Sequence, residues 1–162
     1  MPLALPLDGT RRACEVEARE RLGAARSSIF FAPPAVVLSA STHAEASVLS
    51  RLVGSVGVSV QTWNIVPKIR EALALDDPRL LEVHPELSFR ALGPVTASKK
   101  TAVGRAERLA LLGHPVLPRG IAPVEDLLDA LACATTAQRW LAGTAQVLGE
   151  EVLAGRLSRI VV

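Results

Sequence analysis

The chain has 162 residues, 49% of them hydrophobic and 21% charged, and its formal net charge is +2. This length and hydrophobic content predict one folded domain over residues 1–162 and exclude a disordered chain. The small net charge excludes an overall field that drives non-specific nucleic-acid binding, and an aromatic content of 3% disfavours the reading of single-stranded bases by stacking.

The two cysteines and the absence of long apolar runs indicate the compartment. Cys14 and Cys133 are far apart and have no metal-ligand spacing, which is typical of reduced thiols in a cytosolic protein. The opening segment MPLALPLDGTRR has neither the basic start nor the long apolar core of a signal peptide. No apolar run reaches the roughly 20 residues that span a bilayer. We therefore expect a cytoplasmic protein with no membrane partner.

The first half of the chain predicts helices separated by proline and glycine. Leu3–Leu5 fits the end of a buried strand. A charged run predicts a helix over 11–22, and a capping-box pattern that starts at Thr42 predicts the next helix. A third helix is predicted over 59–75, in which Pro67 either introduces a kink or starts a second helix.

The second half predicts strands as well as helices. Residues 79–87 alternate between apolar and polar, which is strand periodicity, and a short helix follows. Helices are predicted over 101–112 and, after a proline-rich connection, over 123–141. The tail RLSRIVV predicts a last strand. Helices around a few short strands indicate an α/β fold class.

The stretch EDLLDALACATTA carries two aspartates on an otherwise small and apolar helix. At 100° per residue, Asp126 and Asp129 lie on one stripe with Ala130, Cys133 and Ala137. Small residues let that stripe approach a sheet closely, with both carboxylates at the rim. Carboxylates at i and i+3 are close enough to share a divalent ion. The alternative is an acidic first turn that stabilises the helix dipole and needs no ligand.

The segment EVHPE places Glu82, His84 and Glu86 on one face of the predicted strand. One interpretation is a strand that lines a cleft, with Glu82 or Glu86 facing the aspartates. The alternative is an edge strand with a solvated face. His84 lacks the paired spacing of a zinc motif and is interpreted as a structural residue.

The segment SKKTAVGRAERL supplies candidate phosphate contacts. Lys99 and Lys100 lie in a loop before a predicted helix, and Arg105 and Arg108 are three residues apart on that helix. Basic groups near a helix N-terminus suit phosphate. The alternative is a solvated basic face. Nucleophile-elbow, phosphate-loop, dinucleotide and paired-cysteine motifs are all absent from the sequence.

The chain carries, in this order, the blocks RRACEVEARERLG, RSSIFFAPP, QTWNIVPKIRE, EVHPELSFRAL, SKKTAVGRAERLALLG and EDLLDALACATTA. These six blocks resemble the bacterial family called domain of unknown function 429, which is described as a predicted nuclease with a ribonuclease-H-like fold. The run D-x-x-D-A-L-A-x-A is also similar to the last catalytic helix of RuvC-type junction resolvases. These resemblances imply that Asp126 and Asp129 bind Mg²⁺ or Mn²⁺ and that Glu82 or Glu86 serves as a further ligand or base.

The resemblance also implies that the first acidic strand and the N-terminal β-meander of the family are missing. Two-metal chemistry needs carboxylates on both sides of the ions, so one helix cannot supply them all. The expectation is therefore a nuclease-family protein, with nucleic acid as partner, that is inactive in this form. The competing hypothesis is a non-catalytic module that assembles with itself or another protein through an exposed sheet edge.

Overall fold

The computed structural model describes residues 1–118 and 120–162, so Arg119 in the proline-rich connection lies outside the described residues. The described residues form six α-helices and two strands, which is consistent with the predicted α/β class. The helices are α1 (Ala13–Leu22), α2 (His43–Leu52), α3 (Val60–Leu75), α4 (Pro85–Leu92), α5 (Ala102–Leu111) and α6 (Val124–Leu141). The strands are β1 (Val147–Leu153) and β2 (Arg156–Val161), paired in one two-stranded sheet.

Contacts along the chain divide it into two compact units. The first unit comprises Met1–Glu82 and Val147–Ile160, and it contains α1, α2, α3, β1 and most of β2. The second unit comprises Val83–Gln146 and Val161–Val162, and it contains α4, α5 and α6.

In the first unit, β1 lies directly against the start of α1. A side-chain carbon at Gly149 would stand 2.2 Å from the backbone nitrogen of Cys14, closer than any side chain tolerates. Gly149 also has φ +50°, a left-handed conformation that glycine adopts without steric cost. Its backbone N–H donates to the carboxylate of Glu17 at 2.8 Å. Glycine at this position therefore lets the strand and the helix pack backbone to backbone.

A separate apolar core of the first unit is formed by α2, α3 and the segments before them. The buried residues of this core are Val37, Ala40, Ala46, Val58 and Val66, and Leu38, Leu49 and Trp63 pack against it. The second unit has its own core, in which buried Phe89 of α4 packs with Leu128 and Ala132 of α6. Full burial of a valine, leucine or phenylalanine side chain in these cores contributes about 1.5–3 kcal/mol.

Local sequence signals fix most helix ends. The Thr42 hydroxyl accepts the backbone N–H of Glu45 at 3.2 Å, and the Glu45 carboxylate accepts the backbone N–H of Ser41 at 2.7 Å, so the predicted capping pattern is confirmed. The predicted helices over 11–22, 101–112 and 123–141 are confirmed to within two residues at each end. Pro67 lies inside the single continuous helix α3 and does not start a second one.

The two predictions of strands in the first 90 residues were wrong. Leu3–Leu5 forms no strand, although Ala4 and Leu5 are buried. In the segment 79–87, only Val83 pairs as a strand residue, through a single parallel bridge to Val161. Pro85 then begins α4 because proline suits the first helical position. Glu82 and Glu86 therefore do not share one strand face: Glu82 precedes the bridge and Glu86 lies in the first turn of α4.

The predicted last strand is confirmed as β2, and the strand before it was not predicted. The two strands are joined by Ala154 and Gly155, which have φ of +49° and +78°. Positive φ at both central residues is the conformation that a two-residue hairpin turn requires. Among the described residues, no helix is both long enough and apolar enough to cross a membrane.

Candidate functional site

Glu82 lies in the first unit and is held by a buried arginine. Arg12, which immediately precedes α1, donates from Nη1 to Glu82 Oε2 at 2.8 Å and from Nη2 to Glu82 Oε1 at 2.6 Å. Arg12 is 1% exposed and Glu82 is 8% exposed. A bidentate arginine–carboxylate pair is a strong and geometrically specific contact. Both oxygens of Glu82 are therefore engaged within the protein.

A second carboxylate shares the same arginine. Glu15 Oε1 accepts from Arg12 Nη2 at 2.7 Å and from the backbone N–H of Ala32 at 2.7 Å. Burial raises the pKa of Glu15, although the charge of Arg12 acts against that shift. Burial alone would lower the pKa of Arg12, but the hydrogen bond and charge of Glu82 and the charge of Glu15 raise it. Arg12 therefore stays charged between two acids and ties α1 to two other segments of the first unit.

Glu86, in the second unit, has an equivalent partner. Arg108 of α5 donates from Nη2 to both carboxylate oxygens of Glu86, at 3.0 and 2.8 Å. The Arg108 side chain is 2% exposed, and its Nη1 also donates to the carbonyl oxygens of Ala97 and Gly104. Burial takes Arg108 out of the exposed groups that could contact a phosphate. The pair instead joins α4 to α5.

The predicted aspartates lie on α6 in a partly exposed position. Asp129 Oδ2 accepts from the ammonium group of Lys99 at 2.5 Å, with the two side chains 28% and 34% exposed. Asp126 is exposed. One turn nearer the start of the helix, Glu125 accepts from Arg105 at 2.9 Å. The structure thus pairs one of the two predicted aspartates, Asp129, with one predicted basic residue, Lys99, whereas Arg105 pairs with Glu125, which was not predicted.

The buried face of α6 differs from the predicted one. The prediction placed Ala130, Cys133 and Ala137 against a sheet, but Ala130 and Ala137 are exposed. The buried residues are Leu128, Ala132 and Thr136, at i, i+4 and i+8, and they face the core that contains Phe89. The Thr136 hydroxyl donates to that of Ser88 on α4 at 2.8 Å. Asp129 therefore lies beside the buried face of α6, and Asp126 lies on its exposed side.

The loop that carries Lys99 is pressed against α5. A side-chain carbon at Gly104 would stand 2.1 Å from the carbonyl oxygen of Ser98, so only glycine fits there. The hydroxyl of Thr101 caps α5 by accepting the backbone N–H of Gly104 at 3.0 Å and donates to the carbonyl oxygen of Ser98 at 2.8 Å. The backbone at Lys99 is therefore fixed relative to the helix, while its side chain remains partly exposed.

The residues present fit one hydrated divalent cation better than a pair of metal ions. Among the described residues, no group of three or more His, Cys, Asp or Glu side chains is arranged to hold a metal ion. Mg²⁺ commonly keeps several waters and takes only one or two carboxylates, with substrate phosphate completing its shell. Asp126 and Asp129 are of the type and number of ligand that such an ion would take, with Asp129 also accepting from Lys99, whereas the carboxylates of Glu82 and Glu86 are engaged by buried arginines.

Sequence reasoning missed the two arginines that hold the glutamates. Arg12 had no assigned role, and Arg108 was assigned to phosphate. The Arg12–Glu15 spacing is a local signal of an ion pair, since residues three apart are neighbours on a helical turn. The Glu82 partner is 70 residues away from Arg12, and only the folded chain shows it.

A family model described as "Protein of unknown function (DUF429)" matches residues 1–153 of the chain. No curated protein and no solved structure matches the chain significantly.

Proposed function

The chain belongs to the DUF429 family, whose function is unknown. We propose that the chain has a ribonuclease-H-like fold and that its function is metal-dependent hydrolysis of phosphodiester bonds. In this proposal Asp126 and Asp129 hold Mg²⁺ or Mn²⁺, and Lys99, Lys100 and Arg105 contact the phosphate of a nucleic acid. Glu82, Glu86 and Arg108 are left out of the reacting groups, because each belongs to an ion pair whose arginine side chain is no more than 2% exposed.

The observation that carries the proposal is the contact between Lys99 and Asp129. The partly exposed ammonium group of Lys99 lies beside the carboxylate of Asp129, at 2.5 Å. A partly exposed ion pair of this kind is worth about 0–1 kcal/mol. A divalent cation, with twice the charge and a second carboxylate at Asp126, competes for the same position at little cost.

The residues of the chain then have separate tasks. Asp126 and Asp129 would hold the cation, which would supply Lewis-acid polarisation of a phosphoryl oxygen and activation of the attacking water. Binding of the cation would release Lys99 from Asp129. The side chain of Lys99 is then long enough to reach a phosphate that lies beside Asp129. Arg105 of α5, which pairs with Glu125 one turn before Asp129, carries a planar set of donors that matches two phosphate oxygens.

The proposal is tested by titrating Mn²⁺ into the wild-type chain and into Asp126→Asn and Asp129→Asn. Binding is followed by calorimetry and by the melting temperature. Binding at a concentration 100 times the dissociation constant stabilises the folded state by about 2.7 kcal/mol. We expect that stabilisation in the wild type and its loss in both variants.

Asp77→Asn is the matched control, because Asp77 also forms a 2.5 Å ion pair with an exposed basic side chain, Arg79. It should respond to Mn²⁺ as the wild type does. An identical response in all four proteins would remove the metal assignment. Manganese-dependent cleavage of end-labelled oligonucleotides, compared between the wild type and Asp129→Asn, then tests the hydrolysis itself.

A second candidate function is a non-catalytic module that associates with itself through its sheet edge. It is supported by the two-stranded sheet, in which the outer edge of β2 is bridged by only one described residue, Val83. An exposed strand edge offers unpaired backbone groups to another chain. Sedimentation at increasing concentration distinguishes a monomer from a self-associating chain.

A further inference from the structure

The first unit contains a cavity of about 370 Å³ between two loops. None of the residues assigned to the proposed function lines this cavity. One wall is the loop that carries Phe30, and the other is the loop that carries Val56. Phe30 is 49% exposed and Val56 is 79% exposed, so both apolar walls are open to a ligand. A ligand with a flat apolar face can bury surface on both sides of this cavity.

The charge on the side chains that line the cavity is positive. Among the described residues that line it, Arg19 is the only one with a charged side chain. Arg19 donates from Nη1 to the carbonyl oxygens of Arg26 and Ile29, at 2.9 and 2.6 Å, and its guanidinium lies 4.9 Å from the centre of the Phe31 ring. These contacts fix the guanidinium and leave its positive charge uncompensated by any carboxylate of the lining. The cavity therefore favours an anionic ligand.

The polar part of the lining can bind a ligand without breaking the protein's own bonds. The hydroxyls of Ser27 and Ser55 form no hydrogen bond within the part of the chain that the structure describes. Ser59 and Thr62, at the start of α3, also line the cavity, and Ser59 already caps the helix by accepting the backbone N–H of Thr62 at 3.0 Å. The helix dipole adds positive potential at that end.

From these three properties we infer that the cavity binds one nucleoside phosphate unit, with its base against Phe30 and its phosphate near Arg19. This inference is independent of the proposed function and concerns a different part of the chain. It specifies a single unit because the chain has only three Phe, two Trp and no Tyr, and Phe30 and Phe31 are both used here. Such a chain has one aromatic wall for a base rather than a track for a strand.

The unit can come from a free mononucleotide or from one residue of a single-stranded nucleic acid. The test is therefore a titration of the full chain with adenosine and uridine monophosphates and with eight-residue single-stranded oligonucleotides, followed by calorimetry. Adenosine without phosphate and inorganic phosphate alone are titrated separately. We expect saturable binding of the phosphorylated forms that is at least tenfold tighter than binding of either fragment.

Two variants test the assigned walls. Phe30→Ala removes the stacking surface and should weaken binding by roughly tenfold or more. Val56→Glu places a carboxylate on the open wall and should weaken binding by a similar factor through repulsion of the phosphate. Val152→Glu is the matched control, because Val152 is 69% exposed on β1 and does not line the cavity, and it should bind as the wild type does.

The outcomes separate the sources. Binding of mononucleotides with the expected loss in Phe30→Ala supports a free nucleotide ligand, and binding of oligonucleotides alone supports a strand residue. Absence of saturable binding by both, or equal binding by wild type, Phe30→Ala and Val56→Glu, would overturn the inference. So would binding of inorganic phosphate as tight as that of the nucleotides. Because no metal is added, failure here leaves the Mn²⁺ test of Asp129 unaffected.

Discussion

Arg12 and Glu82 form two parallel hydrogen bonds of 2.8 and 2.6 Å across 70 residues of sequence. Oε2 of the same carboxylate accepts the backbone N–H of Leu3 at 3.2 Å, and Arg12 Nη1 also reaches the carbonyl oxygen of Ala4 at 3.3 Å. One buried ion pair therefore joins the N-terminal segment, the start of α1 and the end of the segment that follows α3. All of these contacts lie within the first unit.

Glu82→Gln is expected to lower the free energy of unfolding by about 3–5 kcal/mol, because it leaves the charge of Arg12 buried with Glu15 as its remaining acid. The measurement is urea-induced unfolding of the purified variant. Arg21→Met is the matched control, since the Arg21–Glu17 pair has side chains 43% and 37% exposed and should cost less than about 1 kcal/mol. Similar losses in the two variants would contradict a structural role for the buried pair.

Lys99→Met is expected to increase the affinity for Mn²⁺ by roughly two- to fivefold, because it frees Asp129 from an ion pair worth up to about 1 kcal/mol. Calorimetric titration gives the dissociation constants. Lys100→Met removes the same charge from the neighbouring exposed position without freeing Asp129, so it separates the two effects. If Lys99→Met and Lys100→Met change the affinity equally, Lys99 does not compete with the cation.

Gly149→Ala is expected to lower the free energy of unfolding by about 3 kcal/mol or more, because its new carbon meets the backbone of Ala13 and Cys14 at 2.2–2.4 Å. Gly155→Ala provides the comparison. Gly155 also has positive φ, but nothing lies within 4 Å of the added carbon, so only the backbone strain of about 1–2 kcal/mol applies. Thermal unfolding of both variants gives the difference. Equal losses would mean that β1 does not pack closely on α1.

Because the thiol of Cys14 is buried, we expect the folded chain to lose stability at alkaline pH. Burial raises the pKa of its thiol from 9.0 to about 11, although the charge of Arg12 acts in the opposite direction. The unfolded chain therefore releases this proton near pH 9, while the folded chain keeps it until about pH 11. The buried thiol therefore makes its full contribution to the stability of the folded chain below pH 9. The free energy of unfolding should fall by about 2–3 kcal/mol as pH rises to 11.

Urea unfolding of the wild type and of Cys14→Ala at a series of pH values isolates this effect. Titration of lysines and arginines is common to both proteins, so the difference between the two curves belongs to the thiol. Parallel curves between pH 9 and pH 11 would show that the thiol has an ordinary pKa in the folded chain.

The sequence predicted those elements whose signals are local. Thr42 with Glu45 marks the start of α2 through short-range hydrogen bonds, and that helix is observed where the pattern predicts it. The alternation in EVHPE favoured a strand, but Pro85 at a first helical position outweighed it. In β1, Gly149 and two adjacent glutamates obscured strand periodicity, and the close packing that requires this glycine comes from α1, more than 130 residues earlier.

The candidate site was predictable only in part, for a related reason. The acidic helix and the basic loop were found separately, because each has a recognisable composition. Which acid meets which base is decided by packing: Lys99 meets Asp129 across 30 residues, and Arg108 meets Glu86 across 22. The cavity beside Phe30 gave no sequence signal, since the two loops that form it are joined only by the fold.

The close approach of Gly104 to the carbonyl oxygen of Ser98 restricts which atoms move when the Lys99–Asp129 contact opens, and this affects the rate of opening. Because the loop backbone cannot slide over α5 without a collision, the moving part is the lysine side chain alone. Rotations of partly exposed side chains take picoseconds to nanoseconds, whereas loop rearrangements take nanoseconds to microseconds. Exchange of the ammonium group for another cation at Asp129 is therefore expected to involve no slow conformational gate, and arrival of the ion should limit its rate.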